Sequence, residues 1–182
     1  MFIQTEPTPN PATLKFLPGR AVMDSGTANF TEAAAAKTSP LADSLFALEG
    51  VTGVYLGADF ITVSKAADLD WLKLKPVVLA AIMDHFTSGR PVMSGLAAPA
   101  DAAEDEDDEV VSQIKELLET RVRPAVAQDG GDIIFHSFED GVVYLTMQGS
   151  CSGCPSSTAT LKAGIENMLR HYIPEVQEVR PV

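Results

Sequence analysis

The fold of this chain is decided by Glu139-Asp-Gly-Val-Val-Tyr-Leu-Thr-Met-Gln-Gly-Ser-Cys-Ser-Gly-Cys-Pro155. Glu139-Asp-Gly141 predicts a hairpin, because Asp-Gly is favoured in a tight type I′ turn. Strands are expected on either side of this turn, over residues 133–138 and 142–147. Pro155 fits the first position of a helix. The stretch therefore predicts a hairpin whose second strand runs into a cysteine loop and then into a helix.

Amphipathic helices are expected on both sides of the hairpin and loop. The first has apolar residues at helical spacing, and Pro124 is expected to end it: Val111, Ile114, Leu118 and Val122. The second has one apolar face: Leu161, Ile165, Met168, Leu169 and Tyr172. Its opposite face carries charges and is expected to meet solvent: Lys162, Glu166 and Arg170. A last short strand over 176–179 completes a compact α+β domain.

The first half of the chain predicts a second, separate α+β module. Strands are expected at Thr13–Leu17, 51–56 and 60–65. Ser39-Pro40 supplies an N-cap and a first helical residue, and Gly50 is expected to close that helix as its C′ residue.

A longer helix is expected at the end of this module, followed by Gly89. It is indicated by apolar residues at helical spacing: Leu74, Val78, Ala81, Ile82, His85 and Phe86. Pro76 is compatible with this helix only if it lies in the first turn, since a proline further inside removes a hydrogen bond.

An acidic stretch separates the two halves. Seven of the nine residues at 101–109 are aspartate or glutamate. Like charges at this density repel each other and extend the chain, which predicts a linker. We therefore predict two small α+β domains joined by an acidic flexible linker, with bounds at 1–90, 91–107 and 108–182.

The composition excludes several classes of function. The formal net charge is −12 and the pI is about 4.5, so the surface repels nucleic-acid phosphates and anionic lipids. The apolar run at 77–83 is much shorter than the about 20 residues that a membrane-spanning helix needs. The N-terminus lacks the features of a secretion signal or an organelle presequence. We expect a soluble intracellular protein that binds neither nucleic acid nor membranes.

Cys151 and Cys154 are the only two cysteines in the chain. Two thiols at this spacing can share one metal centre, but tetrahedral zinc and the common iron–sulfur clusters need four protein ligands. One chain therefore supplies half of such a site, which favours a site shared between two chains. N–H groups and the helix dipole at the start of the following helix are expected to lower the thiol pKa and favour thiolate.

Two other uses of this cysteine pair stay open. One is a dithiol oxidoreductase, because Cys-x-x-Cys-Pro also opens a helix in thioredoxin. Against it, the motif here follows a predicted hairpin rather than the first parallel strand of a βαβ unit. The other is structural zinc that locks a dimer.

The remaining polar candidates have simpler explanations than catalysis. Core or rim positions account for His85 and His136, and His171 lies near a helix end, where it interacts with the helix dipole. Asp129-Gly-Gly-Asp132 is expected to serve backbone geometry, with contact to the cysteine loop as a second role.

These motifs resemble the Nfu family of iron–sulfur carriers over essentially the whole chain. The second half resembles the NifU C-terminal domain in four stretches: Arg123-Pro-Ala-Val-Ala-Gln-Asp-Gly-Gly-Asp132, Gly149-Ser-Cys-Ser-Gly-Cys-Pro-Ser-Ser157, Leu161-Lys-Ala-Gly-Ile-Glu-Asn-Met-Leu169 and Tyr172-Ile-Pro-Glu-Val176. The first half resembles the Nfu N-terminal domain in five: Phe2-Ile-Gln-Thr5, Thr8-Pro-Asn-Pro11, Leu14-Lys-Phe16, Phe60-Ile-Thr-Val63 and Asp70-Trp71.

The resemblance implies a non-enzymatic scaffold or carrier. It implies a [4Fe-4S] cluster, with [2Fe-2S] as the alternative, held between subunits and passed to apo-proteins. The ligands that carry over to this chain are Cys151 and Cys154 only. The implied partners are further copies of the chain in a homodimer or higher homo-oligomer, apo iron–sulfur client proteins and upstream cluster assembly proteins. The N-terminal module is implied to contribute to target recognition or assembly.

The start of the chain gives an expectation of its location. The chain begins directly at the first module with Met1 and no presequence, which resembles a bacterial cytoplasmic form. The mitochondrial matrix, for a mature processed form, is the alternative.

Overall fold

The computed structural model describes residues 1–94, 109–152 and 155–182, without the side chains of 155–157. The chain divides into two compact units, Met1–Asp101 and Ala102–Val182. Both contain helices and strands, so the predicted class of two small α+β domains is confirmed. The acidic part of the predicted linker falls within 95–108, outside the described residues, and the three predicted domain bounds stay predictions. None of the helices that the structure describes is long and apolar enough to cross a membrane.

The first unit is built on a five-stranded antiparallel sheet of order β1-β2-β5-β4-β3. The strands are β1 (Gln4–Pro7), β2 (Thr13–Leu17), β3 (Ala28–Phe30), β4 (Val51–Leu56) and β5 (Ile61–Lys65). The three strands predicted from sequence are β2, β4 and β5, the central strands of the sheet. The two edge strands were not predicted, because each is too short to show an alternating pattern.

Helices pack on this sheet around an apolar core. They are α1 (Ala33–Ala36), α2 (Pro40–Phe46) and α3 (Trp71–Thr87). The predicted N-cap of α2 is present, since the Ala42 N–H donates to Ser39 Oγ at 3.1 Å. The predicted C′ glycine is not, because the helix ends at Phe46 with Ala47 as its C-cap, and Gly50 instead forms the turn before β4. The Ser39 hydroxyl also donates to the Val92 carbonyl at 2.5 Å, and the Ser94 N–H donates to the Thr38 carbonyl at 2.8 Å. Residues 92–94 are therefore held against the first unit.

The long helix α3 starts earlier than predicted. Asp70 caps it, accepting from the Leu72 N–H at 3.0 Å. Pro76 consequently lies inside the helix and not in its first turn, so that prediction was wrong. The carbonyl that loses its partner to Pro76 is that of Leu72, four residues earlier. Leu72 is 84% exposed, so water can take the place of the missing donor.

The second unit consists of helices around a three-stranded sheet of order β6-β7-β8. In chain order its elements are α4 (Glu109–Leu117), a π-helical turn (Leu118–Val122), α5 (Arg123–Gln128), β6 (Gly131–Glu139), β7 (Val142–Gly149), α6 (Pro155–Tyr172) and β8 (Glu178–Pro181). β6 and β7 form the predicted hairpin, with positive φ at both Asp140 (50°) and Gly141 (80°) as a type I′ turn requires. β8 pairs parallel to β7.

Pro124 does not end the first helix of this unit, contrary to the prediction. The helix passes through the π-helical turn, in which the Arg123 N–H donates to the Leu118 carbonyl, and continues as α5. The wider turn places Pro124 in the first turn of α5, where a missing N–H costs little.

Three predictions for the last helix and strand also need correction. Tyr172 is 48% exposed, and Ile173 takes the expected core position at 1%. Glu166 is not a purely solvent-facing residue, because its carboxylate accepts from the Val179 N–H at 3.2 Å. The final strand is shifted towards the C-terminus by two residues relative to 176–179.

Candidate functional site

Cys151 follows the end of β7 and lies in the interior of the second unit. It is 6% exposed and belongs to the apolar core that β6, β7 and α6 enclose. Cys154 falls outside the described residues, so its pairing with Cys151 stays a prediction. The strand before the cysteines, β7, is antiparallel to β6, as predicted. It is also parallel to β8, which follows α6, so the motif does follow the first strand of a βαβ unit and that part of the prediction was wrong. Strand direction therefore does not argue against a dithiol oxidoreductase.

The sulfur of Cys151 lies against Gly131, the first residue of β6. Gly131 pairs with Gly149 in the β6–β7 register, which brings the start of β6 beside the cysteine loop. A β-carbon on Gly131 would stand 3.0 Å from both the Cys151 nitrogen and the Gln148 carbonyl oxygen, and closer still to the Cys151 sulfur. Only glycine leaves room for the thiol in this position.

The turn Asp129-Gly-Gly-Asp132 holds the cysteine loop by hydrogen bonds. The Ser150 N–H donates to the Gly130 carbonyl at 3.2 Å, and the Ser150 hydroxyl donates to the Asp129 carbonyl. On the other side of the loop, the Thr158 hydroxyl donates to the Cys151 carbonyl at 3.1 Å. The turn thus has the second role expected for it, contact with the cysteine loop. It fixes the backbone of Ser150, and Thr158 holds that of Cys151.

A partly buried ion pair anchors the same turn to the preceding helix. The Arg123 guanidinium donates to both carboxylate oxygens of Asp132, each at 2.9 Å, and Asp132 is 4% exposed. A third bond runs from Arg123 Nη1 to Glu119 Oε2 at 2.6 Å. These contacts, with that to Asp132 the largest, raise the pKa of Arg123. No local sequence signal indicated this pair, although Arg123 and Asp132 are the first and last residues of one stretch that resembles the NifU C-terminal domain.

The expectation of a lowered thiol pKa was wrong for Cys151. Burial, the largest effect, raises the pKa of its thiol to about 11 from an ordinary 9.0. The hydrogen bond with Ser150 lowers it, whereas the charges of Asp129 and Asp132 raise it further. The thiol is removed from water and lies near two carboxylates, and these two effects raise its pKa by more than the hydrogen bond with Ser150 lowers it.

The histidines do not join the cysteine site. His85 is fully buried in the first unit, and neither ring nitrogen has a hydrogen-bond partner among the described residues. His136 is exposed where the β6–β7 register shifts, and His171 is exposed near the end of α6. Within 1–94, 109–152 and 155–182, no three His, Cys, Asp or Glu side chains are arranged to hold a metal ion. Cys151 is thus the candidate ligand that the structure places.

Known families match both units of the chain. The family described as "Scaffold protein Nfu/NifU N terminal" matches residues 3–89, and the "NifU-like domain" matches residues 114–180. The solution NMR structure of a NifU-like protein from Saccharomyces cerevisiae covers 53% of this chain and 87% of its own at 26% identity. The TM-score is 0.48.

Relatives of high identity span the whole chain. The human protein named "NFU1 iron-sulfur cluster scaffold homolog, mitochondrial" is 56% identical over 183 residues, which are 100% of this chain and 72% of the human protein. "NifU-like protein 4, mitochondrial" of Arabidopsis thaliana is 55% identical over 184 residues, which are 98% of this chain and 65% of the plant protein. Both names support the mitochondrial alternative, and the cytoplasmic prediction finds no support in them. By these matches, the chain belongs to the Nfu family of NifU-like proteins.

Proposed function

We propose that this protein is an iron–sulfur cluster scaffold that holds a [4Fe-4S] cluster between two copies and passes it to apo-proteins. Cys151 and Cys154 of each copy are the proposed ligands. The observation that carries the proposal is a family match over both units in a chain with only two cysteines, three positions apart. A four-iron cluster takes four thiolates, so two copies supply the full set.

Loading the cluster requires a local change at Cys151. In the structure its thiol faces Gly131 and the apolar core, where a second copy has no access to it. The thiol must turn outwards and lose its proton, because thiolate is the form that binds iron. The ion pair of Arg123 with Asp132 keeps the start of β6 in place while the cysteine moves.

The cluster is cargo in this proposal, and the protein acts stoichiometrically rather than as an enzyme. A cluster held at a surface between two copies is open to thiols of a third protein, which can replace the ligands one by one. Its partners are accordingly a second copy, upstream cluster assembly proteins and apo iron–sulfur clients. We propose the mitochondrial matrix as its compartment, in line with the names of the two relatives.

Reconstitution without oxygen tests the proposal directly. The protein is incubated with sulfide and equal amounts of ferrous and ferric iron, and the product is weighed by native mass spectrometry. We expect one species with two chains, four irons and four sulfides. Two irons and two sulfides would correct the cluster to [2Fe-2S]. A single chain that holds a complete cluster with no outside thiol would refute sharing.

Variants and a recipient protein complete the experiment. Cys151→Ser and Cys154→Ser should each abolish the two-chain species, whereas Ser152→Ala, a change within the same loop, should retain it. Glutathione is left out and then added, because a small thiol that completes a one-chain site would appear in the mass. Transfer is then measured as activity gained by an apo-enzyme that needs a four-iron cluster.

A further inference from the structure

A groove runs along the free edge of the sheet in the first unit. One wall is the chain at residues 2–6, which includes most of β1, and the other is formed by Lys75 and Leu79 of α3. Its volume is about 520 Å³. The groove lies in a unit without cysteine, so nothing in the cluster proposal accounts for it.

The strand wall of the groove has unpaired backbone groups. β1 is the end strand of the sheet and pairs only with β2 among the residues that the structure describes. Alternate residues of such an edge strand point their N–H and C=O groups away from the sheet, ready to pair with another strand. Phe2, just before β1, adds an apolar side chain that is 79% exposed.

The helix wall carries an apolar stripe interrupted by one cation. Leu72, Lys75, Leu79 and Met83 follow each other at spacings of three and four and so share one face of α3. Leu72 is 84% exposed and Met83 42%. Lys75 forms no ion pair with any other described residue, whereas the nearest carboxylate of the strand wall, Glu6, is paired with Lys15 at 3.5 Å.

The spacing of this stripe matches that of a β-strand. Four helical residues rise about 6 Å, which separates Lys75 from Leu79 and Leu79 from Met83 along the helix. Side chains on one face of a strand recur every two residues, or about 6.7 Å. A strand that runs along α3 in the groove can therefore present a carboxylate to Lys75 and an apolar side chain, two residues away, to Leu79. A second apolar side chain, four residues away, can reach Met83, which lies one helical turn beyond the residues that line the groove.

We propose that this groove binds an extended segment of a partner protein, which adds to the sheet as a sixth strand beside β1. The segment carries an acidic residue followed or preceded, at alternate positions, by two apolar residues. Backbone hydrogen bonds to β1 supply the pairing, and Lys75, Leu79 and Met83 select the side chains. This mode of recognition is the addition of a peptide strand to an exposed sheet edge.

Two synthetic peptides test the proposal on the full chain. Each has blocked ends and threonine at every second position. The first places glutamate, leucine and valine between the threonines, and the second replaces its glutamate by lysine. In ¹H–¹⁵N NMR titrations at millimolar peptide, we expect the acidic peptide to shift the amides of Gln4, Thr5 and Glu6 together with those of Lys75 and Leu79.

Charge reversal at Lys75 is the decisive comparison. Lys75→Glu should weaken binding of the acidic peptide by about five-fold, which is the size of effect expected for a partly exposed ion pair. The same variant should bind the lysine peptide more tightly than the acidic one. Lys73→Glu is the matched control, because it changes an exposed lysine two positions away on another face of α3. Its effect on both peptides should be small.

Three results would overturn the proposal. One is the absence of shifts along β1 with the acidic peptide, and another is an equal response of the Lys73 and Lys75 variants. The third is a concentration-dependent shift of the β1 amides without peptide, accompanied by dimers in sedimentation. That result would mean that a second copy of the chain fills the groove.

Discussion

Replacing Gly131 by alanine tests whether this position seats the Cys151 thiol. The new β-carbon would lie 3.0 Å from two backbone atoms, the Cys151 nitrogen and the Gln148 oxygen, and closer still to the Cys151 sulfur. Uncrowded non-bonded atoms sit at about 3.5–4.0 Å. The β6–β7 pairing fixes Gln148, and the bonds of Ser150 to the Asp129 and Gly130 carbonyls hold the backbone beside Cys151, so the sulfur is the atom that can move. We expect Cys151 to turn out of the core.

The displaced thiol should react faster. Burial is the main reason that the pKa of Cys151 lies at about 11 rather than 9.0. If exposure restores the ordinary pKa, the thiolate fraction at pH 8 rises about 100-fold, but the lower pKa makes each thiolate less nucleophilic by roughly eight-fold. The net expectation is about a ten-fold faster alkylation. Crowding should also destabilise the second unit by about 1–3 kcal/mol.

The assay is iodoacetamide labelling in a Cys154→Ser background, where Cys151 is the single thiol, with urea unfolding in parallel. Gly164→Ala is the matched control, since a β-carbon there meets no atom within 4 Å. It should leave the labelling rate unchanged and stabilise α6 by about 0.5–1 kcal/mol. If Gly131→Ala alters neither the labelling rate nor the urea midpoint, the argument that this glycine seats the thiol is wrong.

Three further substitutions test other parts of the structure. Arg123→Met should destabilise the protein by about 3 kcal/mol in urea unfolding, because it leaves the buried carboxylate of Asp132 without its cation. Adding Asp132→Asn should recover part of the lost stability. Equal urea midpoints for Arg123→Met and wild type would contradict the role of the ion pair. His85→Phe should stabilise by about 1–2 kcal/mol, since it removes two buried nitrogens without partners. Burial lowers the pKa of His85, so the unfolded chain takes up a proton at a higher pH than the folded protein does. The wild-type protein should therefore lose stability as the pH falls below about 6.5. In thermal melts, the His85→Phe variant should lack this part of the pH dependence. Ser39→Ala should cost about 1 kcal/mol by removing the cap of α2, and an unchanged melting temperature would count against that cap.

Local sequence signals predicted the elements that depend on local chemistry. Asp140-Gly141 predicted the hairpin turn, and both residues have the positive φ that this turn needs. Ser39 and Pro155 predicted helix starts that the structure contains. The helix end predicted at Pro124 was wrong, because a π-helical turn places this proline in the first turn of α5, where its missing N–H has no helical partner to lose. The spacing of apolar residues does not indicate the extra residue in such a turn.

The site was predictable only in its chemistry. The spacing of the cysteines indicated the candidate ligands, but the environment of Cys151 depends on contacts between distant residues. Gly131 meets the sulfur through the register of β6 on β7, and Asp132 meets Arg123 across the end of α5. The thiol pKa was predicted in the wrong direction for the same reason, since burial is a product of tertiary packing.

The parallel pairing of β8 with β7 gives the cysteine loop an unusual attachment. β7 leads into the loop, α6 leads out of it, and β8 returns the chain to β7, with the Val182 N–H donating to the Leu145 carbonyl at 2.9 Å. The cysteine loop and α6 therefore connect two strands, β7 and β8, that are paired with each other. The Cys151 thiol can therefore turn outwards while the strands behind the loop stay paired, and the proposed exchange of a cluster would leave the sheet intact.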